Sequence, residues 1–284
     1  MSIKIITDST SYIPKEYVEE YDIKIVSLNV ILEEKSFREV DIDNIEFYKS
    51  MAASSTIPTS SQPSLEEMYK IFEEEIKLGN NIVGIFISSK MSGAYSSANL
   101  VKNMILEKYP EAKIEIIDSM TNCMQMGFEV LQAARLAKEG RSFEEVINIA
   151  IETREHSKFL FFPDTLQYLK KGGRIGNASA FIGTLLQIKP ILTVENGVTT
   201  VFDKVRTKKR AINTIVDKVV NDINDKKLGG VIVHHINCEE EGKSLAKILE
   251  DKIHIPVKVQ TIGPVIGLHV GPGSIGVAYY TKNN

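Results

Sequence analysis

NIVGIFISSKMSGAYSSANLVKNMILEKYPEAKIEII, residues 81–117, holds in order a β-rich run, a serine-rich turn, a helical pattern and a second β-rich run. Residues 81–88 predict a buried strand, 96–107 a helix and 113–117 the next strand. Strands joined through a helix of about ten residues or more need a crossover, which favours parallel pairing. The same alternation continues outward. Upstream, 2–7 reads as a buried strand ending in Asp8-Ser9-Thr10-Ser11, and Pro14 suits the first turn of a helix through Tyr21. Residues 24–32 are strand-like, with a charged, less regular stretch behind them. Ser64-Leu65-Glu66-Glu67 is a capping-box pattern that opens an amphipathic helix to Leu78, and Gly79 closes it. Downstream, 122–138 is helical.

Around residues 154–163 the pattern changes. Helical segments follow at 165–171 and 178–187, separated by Gly172-Gly173-Arg174-Ile175-Gly176. Asn196-Gly197, between the β-rich runs 188–194 and 198–205, is a strong hairpin signal. A long helix at 208–223 and the alternating runs 230–236, 240–249, 257–262 and 276–280 complete the chain. The expectation is an α/β protein of two domains. Residues 1–155 form a parallel-sheet N-terminal domain and 156–284 an α/β C-terminal domain. In parallel sheets ligands sit beyond the carboxyl ends of the strands. Asp8-Ser9, Ser88-Ser89 and Asp118-Ser119 stand there, although such residues equally cap the elements that follow.

Composition narrows the function. The 284 residues are 43% apolar and 25% charged with a net charge of −3, which excludes wholesale disorder and a polybasic nucleic-acid binder. Cys123 and Cys238 are too few for a disulfide scaffold and point to a reducing, cytoplasmic setting. No run approaches the roughly 18 apolar residues of a membrane span. The opening MSIKIITDST lacks the charged and apolar regions of a signal peptide.

Several chemical-looking signals fail on context. Gly271-Pro272-Gly273-Ser274-Ile275-Gly276 matches a dinucleotide fingerprint, but the Val277-Ala278-Tyr279-Tyr280 run after it begins like a strand rather than a helix. No phosphate loop ending in Gly-Lys-Ser/Thr occurs. His234 and His235 are neighbours in a β run, face opposite ways, and do not chelate one ion together, so no metal is expected. Lys204, Arg206, Lys208, Lys209 and Arg210 form a basic cluster that reads as a solvated helix face or a docking patch for an acidic partner.

Three hydroxyl- or histidine-bearing segments remain. Thr59-Ser60-Ser61-Gln62-Pro63-Ser64 approaches a capped helix. Ser88-Ser89-Lys90-Met91-Ser92-Gly93-Ala94-Tyr95-Ser96-Ser97-Ala98 lies between a strand and a helix, and Leu268-His269-Val270-Gly271-Pro272-Gly273 places a histidine beside a glycine-rich turn. Helix entries carry unpaired N–H groups and partial positive charge, so they suit an anion, and hydroxyls add donors without adding charge. Taken singly, each hydroxyl reads as a cap and His269 as a structural histidine.

Together with the opening Asp8-Ser9-Thr10-Ser11 and with Gly172-Gly173-Arg174-Ile175, these blocks resemble the DegV family nearly end to end. The resemblance implies a two-domain fold with a ligand cleft between the domains. A long-chain fatty acid such as palmitate, stearate or oleate would lie there with its tail in an apolar tunnel. It implies no other cofactor and no catalysis by the chain itself. Some members present the bound acid to a partner fatty-acid kinase. Carried over by position, Ser60 (where threonine is commoner) and Ser92 hold the carboxylate and His269 supports it. Thr59, Ser61, Gly93, Arg174 and Arg206 are head-group or partner contacts. Met91, Ile182, Leu185, Leu186, Ile188 and residues 159–162 are tail-lining candidates, for each of which core packing is the plainer role.

Two other functions compete. Ser92 and His269 are the nucleophile and base of a conceivable acyl hydrolase, but Lys90 breaks the Gly-x-Ser-x-Gly elbow. A phosphotransferase is suggested only by the family's fold similarity to dihydroxyacetone kinases, and no nucleotide loop supports it.

Overall fold

A computed structural model describes residues 2–32, 34–54, 58–181 and 188–282. The first part of the chain gives β1 (Ile3–Asp8), α1 (Lys15–Glu20), β2 (Lys24–Val26), β3 (Asn29–Leu32), β4 (Lys35–Arg38), α2 (Asn44–Ala53), β5 (Thr59–Ser61), α3 (Leu65–Lys77), β6 (Asn81–Phe86), α4 (Ala94–Lys108), β7 (Ile114–Asp118), α5 (Cys123–Lys138) and α6 (Phe143–Glu155). Then come β8 (Ser157–Phe162), α7 (Gln167–Lys171), β9 (Lys189–Glu195), β10 (Val198–Val205), α8 (Lys208–Asp225), β11 (Lys227–His235), α9 (Glu239–Ile253), β12 (Lys258–Thr261), α10 (Pro264–Val270) and β13 (Ile275–Lys282).

Two compact units result. One comprises Met1–Asp41 and Ser60–Glu155, the other Ile42–Thr59 and His156–Asn284. The segment Ile42–Thr59 lies inside the span expected for the first domain but groups with the second unit. Its helix α2 explains why. Tyr48 is buried and its hydroxyl reaches the carbonyls of Ile262 (2.8 Å) and Gly263 (3.0 Å) at the start of α10. Gly267, one turn into α10, has no Cβ where the Tyr48 phenol sits.

The first unit is built on a parallel sheet of order β2-β1-β6-β7. Ile5, Ile6, Val83, Ile85, Phe86, Ile116 and Ile117 are buried in it, as a sheet covered on both faces requires. Helix α3 starts where the cap predicts, with Ser64 Oγ accepting the Glu67 N–H at 3.4 Å. The Glu67 side chain goes to Arg38 (2.6 Å). The run 24–32, expected as one strand, divides between two sheets. Leu28 N–H donates to Ser9 Oγ (3.1 Å) and Leu28 O accepts from Glu39 N (2.9 Å), so the chain leaves the ladder there. β3 then joins a small sheet of order β4-β3-β5.

The second unit carries a six-stranded sheet of order β10-β9-β8-β13-β11-β12, in which only β11 and β12 pair in parallel. Asn196 and Gly197 both adopt positive φ (50° and 81°) and close the β9–β10 hairpin. Leu160, Phe162, Ile191, Ile215, Val219, Val233, Leu245, Leu249, Val277 and Tyr279 form its core. Leu160 and Phe162 are therefore core residues, whereas Phe159 and Phe161 stack on each other at 4.9 Å on the other face of β8. The predicted helix 178–187 is described only as far as a 3-10 segment over Gly176–Phe181. Ile182, Leu185 and Leu186 lie outside the described residues. Gly276 sits in β13, so no helix follows the glycine-rich 271–276 stretch. No helix among the described residues is long and apolar enough to cross a membrane.

Candidate ligand site

In the first unit the hydroxyl segments meet. Ser60 and Ser61 are partly buried in β5, and Gln62 follows them, held by Asn29 Nδ2 on its carbonyl at 3.4 Å. The Gln62 side chain lies over Gly93: a Cβ built on Gly93 would fall 2.1 Å from Gln62 Oε1. This contact places the 60–62 segment against the Ser92-Gly93 turn at the entry of α4. Thr59 is exposed at the start of β5, and Gly93 is itself exposed.

The turn before α4 is shaped by its own hydrogen bonds. Ser88 is fully buried, its N–H donates to Thr121 O (2.9 Å), and its carbonyl accepts from Met91 N (2.9 Å) and Ser92 N (3.1 Å). Ser88 Oγ accepts from Lys90 N at 3.2 Å. Partly buried Ser92 accepts from Ala94 N at 3.3 Å through Oγ. A hydroxyl that accepts one bond keeps its proton to donate. Met91 accepts from Asn122 Nδ2 on its sulfur at 3.1 Å. Asp118 Oδ1 takes the N–H groups of Ser89 (3.2 Å) and Met120 (2.8 Å). The short polar pairs at the strand ends are thus turn-builders first.

The second unit gathers the other motif residues. His269 lies in the last turn of α10 rather than in a loop, and is 8% exposed. Its ring occupies the space above Gly172, where a Cβ would come within 2.2 Å of Nδ1. Gly271, at φ 93°, packs on the Tyr168 ring in the same way. The Gly172-Gly173-Arg174 and His269-to-Gly273 blocks, far apart in sequence, therefore form one surface around α7. Arg174 is exposed and donates to Gly172 O at 2.6 Å. Burial, with the Arg174 charge acting in the same sense, lowers the His269 imidazole to about 4, so it is neutral at neutral pH. Arg206 is exposed after β10, and Lys208 of the basic cluster pairs with Glu241. Lys204 lies 4.2 Å from the centre of the Phe181 ring.

His234 and His235 do face opposite ways. His234 meets the Phe159 ring edge-on at 5.7 Å, and His235 packs against Gly242 of α9. No group of His, Cys, Asp and Glu among the described residues is arranged to hold a metal ion.

A profile of the DegV family, described as "Uncharacterised protein, DegV family", matches residues 2–282. The chain belongs to the DegV family. A DegV domain-containing protein of Clostridium acetobutylicum is 52% identical over all of this chain and 99% of its own length. Among solved structures, the DegV fatty-acid-binding protein of Bacillus subtilis superposes with a TM-score of 0.88 at 35% identity, covering 99% of this chain and 100% of that one. A stearic-acid-binding protein from Eubacterium ventriosum gives 0.88 at 30% identity, covering 99% and 98%. The expected DegV fold is therefore present. Reading the sequence of this DegV-family chain alone gave Gln62 no role of its own within its block, and missed Tyr168 and the helical setting of His269. Pro264 was the available signal for α10, since proline favours a first helical turn.

Proposed function

We propose that this chain binds a long-chain fatty acid, with Ser60 and Ser92 donating to its carboxylate. The observation that supports this most is the Gln62–Gly93 contact, which brings the two hydroxyl segments onto one edge of the first unit. The fatty-acid-binding relatives support the ligand class. His269 and Arg174, in the second unit, are proposed as further head-group contacts, and Thr59, Ser61 and Gly93 as neighbours of the serines. A neutral imidazole contributes a hydrogen bond rather than a charge. Cytoplasmic carriage of the acid to a fatty-acid kinase, with Arg206 in the partner contact, belongs to the same proposal.

The energetics follow from this chemistry. Hydrogen bonds to an ionised group contribute on the order of 1.5–3 kcal/mol each, and here they mainly offset desolvation of the carboxylate. The tail supplies roughly 0.8 kcal/mol per buried CH₂ before ordering terms are subtracted. Shortening the acid by two carbons should thus weaken binding by roughly fifteenfold. Hydrolysis is the poorer reading, because an imidazole lowered to about 4 is a weak general base at neutral pH.

The experiment is extraction of the purified protein followed by mass spectrometry, then calorimetric titration of the delipidated protein with saturated acids of increasing length. A retained acid, affinity rising with length, and weaker binding in Ser60→Ala and Ser92→Ala are the expected results. A protein that takes up no long-chain acid refutes the proposal. Unchanged affinity in both variants refutes the head-group assignment.

A further inference from the structure

Beyond the parallel pair β1–β6, where Thr7 lies opposite Ile85, the chain places a carboxylate whose two oxygens do different things. Asp8 is fully buried at the end of β1. Its Oδ1 accepts from Thr10 N (2.9 Å) and Thr10 Oγ1 (2.5 Å), which caps the short turn Ser9–Ser11. Its Oδ2 accepts from Ile87 N at 2.7 Å. Ile87 is the residue just before Ser88, whose carbonyl in turn receives the N–H groups of Met91 and Ser92. The turn that carries Ser92 is therefore held on the β1 side by Asp8 and on the β7 side by Thr121 O and Asp118.

Capping alone does not need an aspartate. Asparagine caps as well, through its single carbonyl oxygen. Gripping Thr10 and Ile87 together needs an acceptor at both ends of the side chain, which a carboxylate has and an amide lacks. A buried carboxylate is also an unfavourable neighbour for an anionic head group, so the position is not explained by ligand attraction.

We propose that Asp8 is a positioning residue for the fatty-acid carboxylate site, setting the Ser88–Ser92 turn through the Ile87 N–H so that Ser92 presents its hydroxyl to the ligand. This rests on the fatty-acid reading above and deepens it. Asp8 acts through Ser92 and does not touch the ligand.

The test is a double-mutant cycle on the full-length delipidated protein, with palmitate titrated into wild type, Asp8→Asn, Ser92→Ala and the double variant. Asp8→Ser, which keeps a cap for Thr10 but falls short of Ile87, serves where Asp8→Asn does not fold. Each single change should weaken palmitate about tenfold, with the double variant no weaker than about threefold below Ser92→Ala. Thr10→Val, which leaves the Ile87 bond in place, should stay within about threefold of wild type. The carboxyl resonance of [1-¹³C]palmitate bound to Asp8→Asn should move towards its position in Ser92→Ala, a signature that general loosening does not give. Multiplicative effects in the double variant, or wild-type affinity in folded Asp8→Asn and Asp8→Ser, overturn the proposal. Backbone amide shifts of the ligand-free Asp8 variants separate this from the underlying reading. Shifts extending from Ile87 to Ser92 support the grip even should palmitate fail to bind wild type, and shifts confined to Ser9–Ser11 overturn it.

Discussion

The Asp8 carboxyl makes stability depend on pH in a direction opposite to that of an ordinary ion-paired aspartate. Burial pushes it from 3.8 up to about 6, against the hydrogen bonds from Ile87 and Thr10 that pull it down. Between those two values the unfolded chain is ionised while the folded protein holds the proton. Stability contributed by this group is therefore complete below 3.8 and is lost as pH rises through about 6. The whole difference corresponds to roughly 3 kcal/mol, of which about 2 kcal/mol falls between pH 4.5 and 7. Asp8→Asn removes the titration and adds a constant penalty, because the amide end meets either Thr10 or Ile87 donor to donor. Urea denaturation of wild type and Asp8→Asn at steps from pH 4.5 to 7 isolates the effect, since every other titrating group is common to both. The wild-type stability minus the variant's should fall by about 2 kcal/mol across that range. A difference that stays flat, or rises with pH, refutes the assignment of a buried, proton-holding carboxyl at this position.

Other changes separate stability from binding. Gly93→Ala forces the end of the flexible Gln62 side chain aside, so stability should change by less than about 1 kcal/mol while palmitate affinity falls, as thermal melting and titration will read. Gly172→Ala meets the less compliant His269 ring and should lower both stability, by about 1–3 kcal/mol, and acid affinity. Glu129, in α5, is fully buried with no hydrogen-bond partner among the described residues on either carboxyl oxygen, and burial raises its carboxyl well above 4.5. Glu129→Met should therefore stabilise the protein by about 1–2 kcal/mol at neutral pH. The gain should grow as pH rises above 4.5, because the wild type then loses proton-linked stability, and a gain that shrinks in urea titrations counts against the reading.

What was legible in the sequence was local chemistry. Ser64, Asn196-Gly197 and the alternation of 81–117 fixed their elements because caps, positive-φ turns and crossover helices are decided within a few residues. Helix α6 was equally legible and was missed. Ser142 and Glu145 form a complete capping box, with Glu145 N donating to Ser142 Oγ (3.2 Å) and Ser142 N to Glu145 Oε2 (2.9 Å). Asp43 similarly marks α2 by accepting the Glu46 N–H at 2.9 Å. The break in 24–32 was not legible, because it depends on Ser9 and Glu39 arriving from elsewhere in the chain. The site divides in the same way. Ser60, Ser92 and His269 were singled out by the resemblance to the DegV family, since taken singly they read as caps and a structural histidine, whereas Gln62 over Gly93, His269 over Gly172 and Asp8 under Ile87 are contacts that only the folded chain makes.

Those contacts give the glycines of the two motifs a common physical meaning. Gly93 and Gly172 have ordinary negative φ values, −75° and −74°, so neither is needed for backbone freedom. Each is small because another motif residue fills its missing Cβ, Gln62 in one unit and His269 in the other. A Ser-Gly pair invites reading as a nucleophile turn and a Gly-Gly pair as a phosphate loop, yet here both are packing surfaces that bring distant polar groups into register. Arg174 is the one charged contact proposed for the acid's head; the other donors proposed there are two hydroxyls and, with its imidazole lowered to about 4 by burial and by the Arg174 charge, an uncharged ring. These uncharged donors match the directionality of a carboxylate without supplying a counter-charge. On the proposed reading the tail then supplies most of the affinity, while the head-group donors mainly offset desolvation of the carboxylate.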